Sequence, residues 1–295
     1  MSNLISQSEA DAFLTCRRRH YYAHIEKIKP KKFSEALNRG TLGHLILEAY
    51  YKHLKENPGA FDSAQKAAEA VMAELYSDEN LQTLGELANL FKYFFPWAQV
   101  TQKDWEILEV ETEYRYPVPG TDLVFPFKVD LIYRDRRSGR NYMVDHKFIR
   151  DFYFPELIVI LPQMAKYIGA LRRLGVQIHD GQYQMIRTRA FKTEQPIENR
   201  LKIQNMNLKD SKIDHYMREQ FSTMMQIQQA KNLPQEVWRD RYALRSANQF
   251  NCKNCPFLDL CSLDLLNGNR ELHIKAFYEP NDYGYEEFTD EPANA

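Results

Sequence analysis

The chain is predicted to be an α/β protein built around a mixed sheet. Strand-like alternation is confined to the middle of the 295 residues, and helical periodicity flanks it on both sides. Ser6 with Glu9 three residues on makes a capping box, and Phe13, Tyr21, Ile25 and Ile28 follow near a helical stripe. A second helix is expected after Gly40, through LGHLILEAYYKHLKEN, stopping before Pro58. Two more are expected over 62–77 and 80–95, the latter stopped at Pro96. Residues 105–118 and 122–134 then alternate as strands around Pro119-Gly120. Arg137-Ser138-Gly139 marks the next turn and 141–147 the third strand. A helix over about 157–174 ends at Gly175, Gln182–Thr188 reads as a fourth strand, and a helix over 209–232 leads to the last cysteines. One domain is expected over 1–275. Residues 276–295, with six acids and no base, read as an acidic flexible tail.

Composition narrows the classes. The chain is 44% hydrophobic and 27% charged, as an ordinary globular protein is. It has no apolar run of membrane-spanning length, and its start, MSNLISQSEADAF, lacks a signal-peptide core. A cytoplasmic location, bacterial, archaeal or in a phage-infected cell, is therefore expected, with no membrane partner. The net charge of −1 hides an asymmetry: residues 1–40 sum to +4 and 128–192 to +7, while 53–113 sum to −8. Both basic segments carry candidate chemical residues, which points to a polyanionic ligand. None of the eleven glycines is followed by Lys, so the chain has no phosphate-cradling loop of the nucleotide-driven motors.

The four cysteines form a pattern of their own. Cys252, Cys255 and Cys261 make C-x2-C-x5-C, and Cys16 lies 236 positions upstream of Cys252. In a reducing cytoplasm such thiols are better read as metal ligands than as disulfides. Four thiolates suit an iron–sulfur cluster or zinc. Closing so long a loop costs roughly 5 kcal/mol, so either the metal supplies this or the fold already brings the ends together.

A second constellation is oxygen-rich. Asp130 sits in FKVDLIY and Asp145 and Lys147 in VDHKF, strands that an antiparallel hairpin would pair. Asp145 and Lys147 share one face of a strand and His146 points away. Two carboxylates and an ammonium there suit Mg2+ or Mn2+, a water activated for attack on a phosphodiester, and a charge-stabilising lysine. Gly40-x3-His44 lies on an early helix, and Gln163-x3-Tyr167 shares a face of a later one. Glu109 and Glu111, which precede the Asp130 strand, suit either support of the metal or, as the more ordinary reading, the polar face of a strand. Arg17, Arg18 and Arg19 beside Cys16, and Arg134, Arg136 and Arg137 at the hairpin turn, suit either a phosphate track or simple solubility.

The order of these motifs, from Cys16 through His44, Asp130, Asp145-x-Lys147 and Gln163-x3-Tyr167 to Cys261, resembles the iron–sulfur branch of the PD-(D/E)XK nucleases. These are the RecB-like nucleases that include the Cas4-like exonucleases and the AddB nuclease domain. The opening SQSEADAFLTCRRRHYY is similar to that family's entry, and the likeness runs from Ser6 to Cys261. The resemblance implies a restriction-endonuclease-like core. It implies His44, Asp130, Asp145 and the main-chain carbonyl of His146 as Mg2+ or Mn2+ ligands, and Lys147 as catalytic lysine. Gln163 and Tyr167 become nucleic-acid contacts, and Cys16, Cys252, Cys255 and Cys261 hold a 4Fe–4S cluster joining the first helix to the C-terminal cysteines. Arg17, Phe127 and Phe148 stand where the family often has Pro, Gly and Thr.

The expected function is a metal-dependent deoxyribonuclease: an exonuclease that hydrolyses phosphodiester bonds of single-stranded or processed DNA ends in recombination, repair, replication or CRISPR adaptation. Without its own motor it would work on free ends or beside a helicase, recombination or CRISPR adaptation partner. The alternative is a non-catalytic DNA-binding or complex-assembly subunit that retains the fold, which has no need of Asp130, Asp145 and Lys147 together.

Overall fold

The computed structural model describes residues 3–31, 35–153, 155–189, 191 and 193–281. Its elements run α1 (Gln7–Thr15), α2 (Arg17–His20), β1 (Ile28–Pro30), α3 (Glu35–Glu56), α4 (Phe61–Glu74), α5 (Leu81–Thr101), β2 (Trp105–Pro117), β3 (Val124–Asp135) and β4 (Asn141–Ile149). They continue α6 (Pro155–Ile160), α7 (Gln163–Arg173), β5 (Asp180–Arg187), β6 (Leu201–Asn205), α8 (Asp210–Lys231), α9 (Gln235–Val237), α10 (Gln249–Lys253), α11 (Leu258–Leu265), α12 (Arg270–Phe277) and β7 (Tyr278–Pro280). Packing divides the chain into two compact units. One gathers Met1–Phe33, Arg115–Phe127 and Arg218–Ala295; the other holds Ser34–Tyr114 and Lys128–Met217. Among the described residues no helix is long and apolar enough to cross a membrane.

The second unit carries the predicted mixed sheet, in the order β2-β3-β4-β5-β6. β3 and β4 pair antiparallel as the hairpin reading required, with Leu131 opposite Val144. β4 and β5 are parallel, so the chain must cross over between them, and α6 and α7 lie on that crossover. β6 then returns antiparallel to β5; its five residues LKIQN are too short for alternation to announce it. The core is aromatic. Tyr50 and Tyr51 of α3 and Phe91, Phe94 and Phe95 of α5 cluster with Leu131, Val144 and Ile186 of the sheet.

α3 begins at Glu35 and runs through Gly40 rather than starting after it, and two further helix boundaries move, for opposite reasons. α5 runs through Pro96 to Thr101 rather than stopping before it. Pro96 lies on the exposed face, while Phe94, Phe95 and Ala98 are buried around it. An interior proline costs about 3 kcal/mol, and burying two phenylalanines offsets that at about 2–3 kcal/mol each. The helix expected over 157–174 instead splits at Leu161-Pro162 into α6 and α7. Proline restricts the residue before it, and here that break stands. Gly175, at φ +88°, ends α7 as expected.

In the first unit α1 begins as the capping pattern predicts, Ser6 Oγ accepting from the Glu9 N–H at 3.2 Å. The Glu9 carboxylate does not close the box. It is buried and paired with His20 Nε2 at 3.0 Å and Lys231 Nζ at 2.7 Å. β1 pairs antiparallel with β7, Ile28 opposite Pro280, so the expected tail is structured up to that point. Its remainder, 282–295, lies outside the described residues.

This polar knot makes the unit acid-sensitive. Burial lowers the His20 and His24 imidazoles, His24 to about 4, from an ordinary 6.5. Burial would raise Glu9, but the His20 hydrogen bond and the Lys231 charge outweigh it and hold the carboxyl at about 2 instead of 4.5. All three groups act with one sign. Below 6.5 the unfolded chain takes up protons on His20 and His24 that the fold refuses, and below 4.5 it does so on Glu9. Stability is therefore present above 6.5 and drains as pH falls through about 4 and on toward about 2. The loss is on the order of a few kcal/mol. Urea midpoints should drop steadily between neutral pH and about pH 4.5; a flat profile would refute the buried-neutral assignment.

Candidate metal and catalytic site

The β3–β4 register sets the geometry. With Leu131 opposite Val144, Asp130 comes level with the Asp145–His146 peptide, and the His146 N–H donates to Asp130 Oδ2 at 2.7 Å. Alternation then divides β4 as expected. Asp145 and Lys147 share a face, where Lys147 Nζ lies 2.7 Å from Asp145 Oδ2 and donates to Oδ1 at 3.0 Å. The His146 ring turns the other way and stacks on Tyr51 at 5.3 Å and 5°. Burial pushes that imidazole down to about 3, so it stays neutral.

His44 reaches the site from α3. Its Nδ1 is 3.6 Å from Asp130 Oδ2 and 3.4 Å from Glu111 Oε1. His44, Glu111 and Asp130 each offer one ligand atom, all within 4.8 Å of one another. Of the two readings of Glu111, support of the metal and an ordinary strand face, the geometry favours the first, which the sequence ranked second. Glu111 sits at φ +48°, a left-handed conformation that is uncommon outside glycine. The burial of β2 slips there from alternation to Ile107 and Val110, three apart. Such a kink re-aims a side chain, as bulges beside functional sites do. The broken alternation is the one sequence signal that could have found it. Glu109, by contrast, accepts a hydrogen bond from Tyr114.

The electrostatics are those of crowded carboxylates. Burial, then the neighbouring Asp145 charge, raises Asp130 from 3.8 to about 7. Burial pulls His44 down, but the Glu111 hydrogen bond and the surrounding carboxylates outweigh it and raise the imidazole. Burial favours neutral Glu111, yet His44 and Lys128, the latter 2.6 Å away, lower it overall. Lys147 is likewise raised, burial being overcome by Asp145 and Asp130. Two carboxylates and an imidazole too close to ionise freely make a donor set that a hard divalent cation would satisfy.

From α7, Gln163 Oε1 accepts from Lys147 Nζ at 3.1 Å, which places Gln163 beside the lysine. Tyr167 is buried, 9% exposed. Tyr183, whose ring lies 5.8 Å from Lys147 Nζ, and Tyr153, 6.1 Å from Tyr183, complete this wall; sequence reading named neither. On α3 the tight glycine is Gly43, not Gly40. A Cβ on Gly43 would fall 2.4 Å from the Phe148 ring, whereas one on Gly40 would meet nothing. Phe148 thus lies over α3 with its ring 5.9 Å from His44.

The cysteines lie in the first unit, free and half-buried. Asn251 Nδ2 donates to the Thr15 carbonyl at 3.4 Å, bringing the neighbours of Cys252 and Cys16 together. Burial raises the Cys255 thiol, and the Cys16 and Cys252 thiols add to this. Cys261 Sγ accepts from Arg245 Nε at 3.1 Å. Of the arginines weighed as a phosphate track, Arg18 is occupied, donating to the carbonyls of Ala243 at 3.0 Å and Arg239 at 2.9 Å. Arg137 faces Asp104 at 3.2 Å, and Arg134 lies 3.8 Å from Glu106 and donates to Asn141 at 3.1 Å.

Against known proteins, the profile of the PD-(D/E)XK nuclease superfamily matches residues 4–262. No curated protein sequence matches the chain. Among solved structures, a candidate exonuclease from Eubacterium rectale is similar at 11% identity and TM-score 0.50, over 85% of this chain and 88% of that one. The protein SSO0001 is 17% identical over 88% of this chain and 87% of that one, with a TM-score of 0.39. At 11% identity the likeness to the Eubacterium rectale protein is one of fold.

Proposed function

This chain belongs to the PD-(D/E)XK nuclease superfamily, and we propose that it is a metal-dependent deoxyribonuclease acting on single-stranded or processed DNA ends. The observation that carries this is the convergence of His44, Glu111 and Asp130 beside the Asp145–Lys147 pair. Those three, with Asp145 and the His146 carbonyl, would hold Mg2+ or Mn2+. The bound ion would polarise the phosphodiester and lower the pKa of a water. Lys147, kept protonated by Asp145 and Asp130, neutralises charge growing on the phosphoryl oxygens. Gln163 aims that ammonium through its 3.1 Å hydrogen bond, and Tyr167 backs the same helix.

The four cysteines would hold an iron–sulfur cluster, 4Fe–4S in nuclearity, for which the Asn251–Thr15 bond and the Arg245 donor to Cys261 are a fitting surround. Phosphodiester hydrolysis moves no electrons, so the cysteines fasten the first unit rather than react. A helicase, recombination or CRISPR adaptation complex would supply the ends.

Anaerobically purified protein should contain iron and digest end-labelled linear single strands in Mn2+. EDTA should stop it, and covalently closed circles should survive. Iron-replete, folded protein that binds DNA but cuts nothing would favour the non-catalytic assembly subunit.

A further inference from the structure

Beyond Lys147 the chain builds a second feature that the cleavage chemistry does not use. β4 and β5 are parallel, so their carboxyl ends emerge together, where ligands of open α/β sheets gather. Lys147 pairs with Met185, and Ile149, two residues on, pairs with Arg187. Arg187 therefore stands about 7 Å further along the sheet than the candidate catalytic lysine. Its N–H donates to the Arg200 carbonyl at 2.8 Å, which sets Arg200 beside it.

The guanidiniums are held against rings. Arg187 lies over Phe152 at 5.5 Å and Phe191 at 5.2 Å. Arg200 lies over Phe191 at 5.0 Å and Tyr93 at 4.2 Å. Stacking uses the flat faces of the guanidiniums, and the Arg187 edge donates to the Arg150 carbonyl at 3.3 Å, the Asn199 carbonyl at 3.5 Å and Asp151, so Arg187 braces the cluster beside Arg189 and Arg200. Among the described residues Arg187 and Arg189 share one carboxylate, Asp151, and the buried Nε of Arg200 has no hydrogen-bond partner. Planar donors ordered in advance suit phosphate. Half-buried phenylalanines among them suit unstacked bases, whose faces a duplex hides.

We propose that Arg189 and Arg200, braced by Arg187, form with Phe152 and Phe191 a binding track for single-stranded DNA that continues from the candidate cleavage site. This rests on the nuclease reading and adds to it the path the strand takes beyond the cleavage site. The track steadies the strand one step beyond the scissile phosphate, so it acts on binding rather than on chemistry.

Binding of a fluorescein-labelled oligothymidine, measured in EDTA across a salt series, tests it. Arg189→Gln, at a 54%-exposed side chain, keeps the fold safe, and Arg189→Gln/Arg200→Gln removes two cations. Each arginine lost should weaken binding on the order of tenfold at low salt and flatten the log–log salt slope by roughly 0.7. Phe191→Ala should weaken binding with the slope unchanged, because it removes a ring and no charge. Wild-type affinity and slope in both arginine variants would overturn the track. An equal loss on a blunt duplex would overturn its single-strand character. If the wild-type protein cuts DNA while the variants bind normally, only this inference falls; if it neither binds nor cuts, the nuclease reading falls with it.

Discussion

Asp130→Asn should abolish metal-dependent cleavage and, in the same protein without metal, raise the melting temperature. The two effects have one origin. Burial and the adjacent Asp145 raise the Asp130 carboxyl from 3.8 to about 7, so above neutral pH the fold holds a charge at a cost on the order of a few kcal/mol. The unfolded chain ionises freely at 3.8, and the fold still binds that proton up to about 7. The cost is thus complete above about 7 and absent below 3.8. Asparagine is nearly isosteric and can still accept the His146 N–H that Asp130 Oδ2 accepts at 2.7 Å. In EDTA at pH 8 the variant should melt several degrees higher, a gain that fades toward pH 4. Cleavage should fall about a thousandfold or more, since a metal-ligating carboxylate is gone. Near-normal turnover would remove Asp130 from the site, and an unchanged melting temperature would refute the crowding. Lys147→Ala is a poorer probe of stability, because it strands Asp145 without its cation.

Cys16→Ala should lose iron and lower the melting temperature, but by less than loop closure alone suggests. Joining residues 236 apart is worth roughly 5 kcal/mol when nothing else joins them. Much else does. β1 pairs with β7, Arg18 donates to Ala243 and Arg239, Glu9 meets Lys231, and Tyr22 donates to Asp264 at 2.5 Å. The ends are therefore brought together by the fold itself, and the cysteines consolidate them. A loss of about 2–3 kcal/mol, about 5–10 °C, is expected, read from parallel iron analysis and calorimetry. Iron-free wild-type protein of equal stability and activity would refute a structural cluster.

The α/β class, the antiparallel β3–β4 pairing and the shared face of Asp145 and Lys147 were legible in the chain alone. Each follows from local rules: period-two alternation, turn residues at Gly120 and Gly139, and the two-residue spacing of D-x-K. His44 and the cysteines were legible as residue types in order, which marks them without stating what they touch. Tertiary structure alone decided the rest. Glu111 joins His44 and Asp130 because one left-handed residue breaks the register of β2, and a lapse in alternation marks a kink without stating which side chain it re-aims or toward what. Gln163 meets Lys147, and Gly43 rather than Gly40 admits a neighbour, because which partner faces a residue depends on how α7 and α3 lie on the sheet. α5 passes through Pro96 because the buried aromatic face outweighs a local preference. Local chemistry chose the elements and named most of the acids and thiols; packing between elements chose which of them meet.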